Sequence, residues 1–226
     1  MSALETHAVA GEVGRWAMSE ACAQLVRWRA AGINLPRVSV NLFAVQLRQS
    51  GIERTVCEIL EQHGLAPSDL ELEITENIAL RQDACALAEL QSLRRAGVRL
   101  AFDDFGTGFA SLTTIKDFEV DKVKIDMSFV RDLPADRHSR AIVSSIIGLA
   151  QTLELEVVAE GVELPEQRDA LLALGCEVGQ GYLWRRPAAG SEAFGPVLSG
   201  ANVLPWALTR MATVHHLRDG RRRVLG

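Results

Sequence analysis

Short runs rich in β-branched and apolar residues alternate along this chain with stretches whose apolar positions recur at helical spacing. Six runs read as strands: Val38–Asn41, Leu70–Thr75, Arg99–Asp103, Lys122–Ile125, Glu156–Ala159 and Glu177–Gly179. Between them, Val13, Ala17, Ala21, Leu25 and Trp28 form one helical stripe, and Val56, Ile59, Leu60 and His63 another. Leu87, Leu90 and Leu93 make a third, and Ile142, Ile146, Leu149 and Leu153 a fourth. Gly and Pro punctuate the joins at Ala31-Gly32, Gly64 to Pro67, Ala96-Gly97, Leu164-Pro165 and Leu174-Gly175. Repetition of helix, glycine, short strand and then a polar residue is the rhythm of βα units around a parallel sheet.

Two arrangements fit that rhythm, an open doubly wound sheet and a closed barrel. The polar residues favour the barrel. Asn41, Glu73, Glu76, Asp103, Asp104, Lys124, Asp126, Glu160, Glu163 and Gln180 all fall at or just past strand ends. A barrel gathers the C-terminal ends of its strands on one face, where catalysis sits; an open sheet spreads them along a line. The fold class expected is therefore α/β, a TIM-type (βα) barrel. It is incomplete, because six strands are visible where eight close a barrel. Residues 1–200 are expected to form the barrel domain and residues 201–226, with Arg210, Arg218, Arg221, Arg222 and Arg223, a basic, solvated tail.

The net charge of −5 gives no global attraction for duplex nucleic acid or anionic lipid, so a small anionic ligand needs a metal or a few placed cations. Cys22, Cys57, Cys85 and Cys176 have no metal-knuckle spacing and sit in apolar segments, which predicts buried, reduced thiols. No apolar run approaches the length of a membrane span and no basic-then-apolar leader opens the chain, so the expected location is the cytoplasm. Met18, Met127, Trp16 and Trp28 are expected in the core, and the histidines show no metal spacing.

The chemistry concentrates in Ala101-Phe102-Asp103-Asp104-Phe105-Gly106-Thr107-Gly108, where two adjacent carboxylates close an apolar strand. Either an Asx-turn caps the next helix, or a turn lets both carboxylates reach shared cations that offset their repulsion. In Leu70–Thr75 alternation puts Glu71, Glu73 and Thr75 on one face. Inside a barrel that face is the interior, where a carboxylate needs a counter-charge. Asn41 and Glu160 add further oxygen donors. Such hard ligands suit Mg²⁺ or Mn²⁺, and no Ser/His or Cys/His pairing competes. Metal-assisted hydrolysis of a phosphoester is the reaction class expected, with two ions roughly 4 Å apart.

These residues resemble the EAL domain family of cyclic di-GMP phosphodiesterases. Asp103-Asp104-Phe105-Gly106-Thr107-Gly108-Phe109 resembles its DDFGTGY loop, and Glu71–Glu76 its ELEITE strand. Lys122–Asp126, Val157–Glu163 and Gln180–Trp184 resemble its KID, VVAEGVE and QGYLF segments. The resemblance runs collinearly from about Ala3 to Pro187. It implies Asn41, Glu73, Asp103, Asp104 and Glu160 as metal ligands for two Mg²⁺ or Mn²⁺ ions. The Asp103-Asp104 pair would span both ions, Lys124 would orient the nucleophilic water or offset phosphate charge, Gln180 would contact that water or the substrate, and Glu163 would give outer support. Glu76 would anchor the loop Phe105–Ser111, a region that also meets a homodimer interface in the family. The substrate implied is cyclic di-GMP, opened to linear pGpG.

The sequence departs from the family pattern at its front, where the Glu-Ala-Leu segment with its ligand glutamate, and the arginine after it, do not appear. Three explanations stay open: a start assigned too late in a longer protein, a catalytically inactive module that binds cyclic di-GMP or a protein partner, and a second copy that completes the edge. Phe43 stands where the family usually carries Ser.

Overall fold

The computed structural model describes residues 9–48, 51–75, 84–107, 115, 117–184 and 186, together with the backbone of 215–216. They fall into two compact units. The first holds residues 1–101 and 109–120, and the second holds residues 102–108 and 121–225.

In the first unit, α1 (Val9–Ala30) buries Gly14, Ala17, Met18, Ala21, Cys22, Leu25 and Trp28, a stripe at helical spacing. Glu12 in its first turn and Arg27 and Arg29 in its last suit the helix dipole. The stripe covers β1 (Val38–Asn41), α2 (Ala44–Arg48) and α3 (Ile52–His63). Gly14 lies so close to the Gln46 side chain that a Cβ there would overlap it. Gln46 is fixed in turn by the Phe43 amide, which donates to its Oε1 at 3.0 Å. α3 begins at a glycine, so it has no side-chain cap of its own. Glu89 of α4 (Ala84–Ala96) supplies one instead, accepting from the amides of Gly51 and Glu53 at 2.8 and 3.3 Å.

β1 runs parallel to β2 (Leu70–Thr75) with Asn41 opposite Glu73 and Ser39 opposite Glu71. Arg29 clasps the entrances of both strands. It donates to the carbonyls of Leu35 and Pro36 and pairs with Asp69 Oδ1 at 2.7 Å. That guanidinium holds the Asp69 carboxyl below the usual carboxylate range. β3 (Arg99–Phe105) starts in this unit and ends in the other.

In the second unit, β4 (Lys122–Ile125) pairs in parallel with β5 (Glu156–Ala159), and β5 with β6 (Val178–Gly179). β6 also pairs antiparallel with β7 (His215–His216). Asp126 caps α5 (Met127–Asp132) by accepting from the Ser128 amide at 2.9 Å, and Asp136 caps α6 (Arg137–Thr152) through His138 and Ser139. α7 (Pro165–Ala173) opens on a proline at its first turn. Among the described residues no helix is long and apolar enough to cross a membrane.

Four strands have the bounds expected from sequence. β3 continues two residues further, to Phe105, and β6 is one residue shorter. The side-chain expectations need correction. Trp16 and Met127 are 58% and 52% exposed, and Cys57 and Cys85 are exposed, while Met18, Trp28, Cys22 and Cys176 are buried. On α6 the core face is Val143, Ile146, Ile147 and Ala150, with Ile142 and Leu153 outside. That helix carries two overlapping apolar stripes, and periodicity alone does not choose between them.

Candidate metal centre

Both aspartates of the Asp103-Asp104 pair lie inside β3, where alternation would send their side chains to opposite faces. Yet the carboxylate oxygens of Asp103, Asp104 and Glu160 can all lie within 4.8 Å of one another. The backbone of Asp104 explains this. Its φ of 55° is left-handed, a conformation that costs an L-residue roughly 1 kcal/mol and that aspartate tolerates better than most. This twist breaks the alternation. The Asp104 amide then donates to Asp103 Oδ1 at 3.1 Å, and Thr107 Oγ1 holds the Asp104 carbonyl at 2.9 Å.

Lys124 comes to the cluster from β4. Its Nζ lies 3.0 Å from Asp103 Oδ1 and 2.5 Å from Glu160 Oε1, with its side chain 4% exposed. An ammonium this deep is tolerable only because two carboxylates meet it. Three carboxylates against one ammonium still leave the group short of positive charge.

Two glycines position the rest. Gly161 adopts φ 65° with Met127 against it, so the chain turns sharply just after Glu160. Gly181 lies against the backbone of Val162, where any Cβ would collide. This close approach allows Val162 to donate to the Gln180 carbonyl and Leu183 to the Val162 carbonyl, both at 3.0 Å. Gln180 is thereby held beside Glu160, and its Nε2 donates to Glu160 Oε1 at 2.9 Å. Its Oε1 is buried and has no hydrogen-bond partner among the described residues. A water or other donor in the cluster would satisfy it.

The donor set fits a hard divalent cation. It consists of carboxylate oxygens alone, it carries excess negative charge, and it sits beside an unsatisfied amide oxygen. Asp103, Asp104, Lys124, Glu160 and Gln180 are thus brought together within the second unit. In the first unit, Asn41 and Glu73 stand side by side at the ends of β1 and β2, with Glu73 3% exposed. Glu71, on the same face, accepts from Ser39 Oγ at 3.0 Å.

Glu163 is exposed, and its backbone rather than its side chain makes the local contact, donating to Gln167 Oε1 at 2.7 Å. Glu76 and residues 108–111 of the expected anchor and dimer loop lie outside the described residues. Sequence reasoning missed the positioning role of Asp126, which ends the KID segment as a helix cap, and that of buried Gln167. An Asp directly ahead of a helical run, and a Gln two residues after Pro165, were the available signals.

The model of the EAL domain family matches residues 1–187. The chain belongs to the EAL domain family. The bifunctional diguanylate cyclase/cyclic di-GMP phosphodiesterase MucR of Pseudomonas aeruginosa is 39% identical over 186 residues, covering 82% of this chain and 27% of MucR. The chain spans about a quarter of the length of such curated relatives. The solved EAL domain of Mycobacterium smegmatis DcpA is 38% identical with a TM-score of 0.78, over 85% of this chain and 86% of that one. Klebsiella pneumoniae BlrP1, solved with manganese and cyclic di-GMP, is 30% identical with a TM-score of 0.72, over 80% of this chain and 45% of BlrP1. The EAL fold of this chain is an incomplete TIM-type (βα) barrel, with six parallel strands among the described residues where a full barrel has eight.

Proposed function

We propose that this EAL domain is a metal-dependent phosphodiesterase that opens cyclic di-GMP to linear pGpG. The observation that carries the proposal is the cluster of Asp103, Asp104 and Glu160 around the buried Lys124 ammonium. The substrate rests on the family, in which MucR is named for cyclic di-GMP hydrolysis and BlrP1 has been solved with that dinucleotide and manganese. Residues 1–200 would form the domain and residues 201–226 a basic tail.

Asp103, Asp104 and Glu160 would hold two Mg²⁺ or Mn²⁺ ions, and Asn41 and Glu73 enter as further ligands through the motifs they occupy. Ions held there would supply Lewis acidity toward a phosphoryl oxygen and toward water. The protein's own groups do the rest. Lys124 keeps Asp103 and Glu160 in register and puts a fixed positive charge where phosphate charge grows in the transition state. Gln180 pins Glu160 through Nε2 and offers its unpaired Oε1 to a proton of the attacking water, which fixes the direction of that water's lone pair. Glu163, with its side chain exposed, would give outer support through the family motif it occupies.

Incubation with cyclic di-GMP and Mg²⁺ or Mn²⁺, followed by chromatography, tests this directly. The proposal predicts pGpG formation that stops with a chelator and in the Glu160→Gln variant. Binding without any pGpG would leave an EAL module that senses the dinucleotide and does not hydrolyse it.

A further inference from the structure

Just beyond the cluster, the chain presents an aromatic residue and a cation that the metal chemistry does not use. Tyr182 is 47% exposed, and the Arg186 guanidinium stacks over its ring at 4.6 Å from the centroid. Tyr182 follows Gln180 by two residues, so its Cα lies within about 7 Å of the Cα of Gln180, the residue that touches Glu160. The segment does not swing freely, because Gly181 is seated on the Val162 backbone and Leu183 donates to Val162. Arg186 is exposed and enters no ion pair among the described residues. Stacking on an aromatic face fixes the guanidinium plane and leaves its N–H edge for a ligand.

A need for such a cation exists. The chain carries a net charge of −5, and the cluster itself sets three carboxylates against one lysine. A cyclic dinucleotide brings two phosphodiester charges, and ions held by the cluster can serve only the phosphate being cleaved. We propose that Arg186, oriented by Tyr182, binds the second, non-reacting phosphodiester of the substrate. This inference rests on the phosphodiesterase reading above and adds to it a subsite for a phosphate group. Arg186 and Tyr182 act in binding and take no part in the chemical step.

The test is calorimetric binding of cyclic di-GMP in Ca²⁺, a cation with which BlrP1 has also been solved bound to the dinucleotide. Binding is then read without any need for turnover. Arg186→Ala is expected to raise the dissociation constant about tenfold, the loss of one charge-assisted hydrogen bond. Arg186→Lys should recover only part of the affinity, because lysine restores the charge but not the planar guanidinium that stacks on Tyr182. Tyr182→Leu should show a smaller loss, because the cation remains but is no longer oriented. Melting temperatures are expected to be unchanged, since both side chains are exposed. Equal affinity of wild type and Arg186→Ala would overturn the proposal. So would Arg186→Lys binding as weakly as Arg186→Ala, which would mark a planar contact to a base edge. If the wild-type chain binds no cyclic di-GMP, the substrate reading itself falls and takes this subsite with it.

Discussion

Lys124 is where burial and charge are most tightly linked. Replacing it with methionine fills the volume but removes the ammonium that meets Asp103 and Glu160, a change that typically costs about 3 kcal/mol or more. Lys124→Met is expected to melt at a lower temperature in a chelator and to recover most of the difference in Mn²⁺; thermal melts under both conditions check this. Gly181→Ala is expected to lower stability and weaken metal binding together, because a methyl group on Val162 pushes Gln180 away from Glu160. The cysteines give an independent check on burial. Burial pushes the Cys22 thiol up to about 12 and that of Cys176 to about 11, so both stay protonated near neutrality. A thiol reagent should label Cys57 and Cys85 in the native protein, and the other two only after unfolding. The sequence offered a turn as one way for the adjacent aspartates to converge, against a plain capping turn, and could not choose between them. The choice depends on the left-handed φ of Asp104, which no side-chain pattern encodes.

The strands were legible because runs of four to six residues rich in β-branched and apolar side chains, set between helical stripes, leave few alternatives. Helix faces were less so. α6 is apolar on more of its circumference than it buries, and α1 leaves Trp16 outside although its size suggests a core residue. Caps supplied from elsewhere in the chain were invisible, as with Glu89 at the start of α3. The Arg29–Asp69 clasp at the entrances of β1 and β2 was equally hidden, since its partners are 40 residues apart. Its pH dependence has a definite sign. The Asp69 pKa is lower in the folded chain than in the unfolded one, so the clasp stabilises the fold at pH values above the ordinary aspartate range. That stability is lost as the pH falls through the lowered folded value. Asp69→Asn is expected to melt below wild type at neutral pH, with the gap closing on acidification; melts across that range test it.

Across the chain, one set of physical demands recurs. Parallel strands end in polar residues, and in the second unit Gly161 with its positive φ and Gly181 with no room for a Cβ bring Glu160 and Gln180 together at the ends of β5 and β6. In the second unit this leaves acidic oxygens in excess over buried cations, a balance that an added divalent ion restores. The EAL family assignment explains why these segments occur in this order, and the cluster geometry explains what they can do. A calorimetric Mn²⁺ titration of wild type beside Asp103→Asn and Glu160→Gln examines that balance most directly. Saturable Mn²⁺ binding by wild type, weakened at least about tenfold in both variants with the fold intact, is the expected result. Equal Mn²⁺ affinity in all three proteins would contradict it.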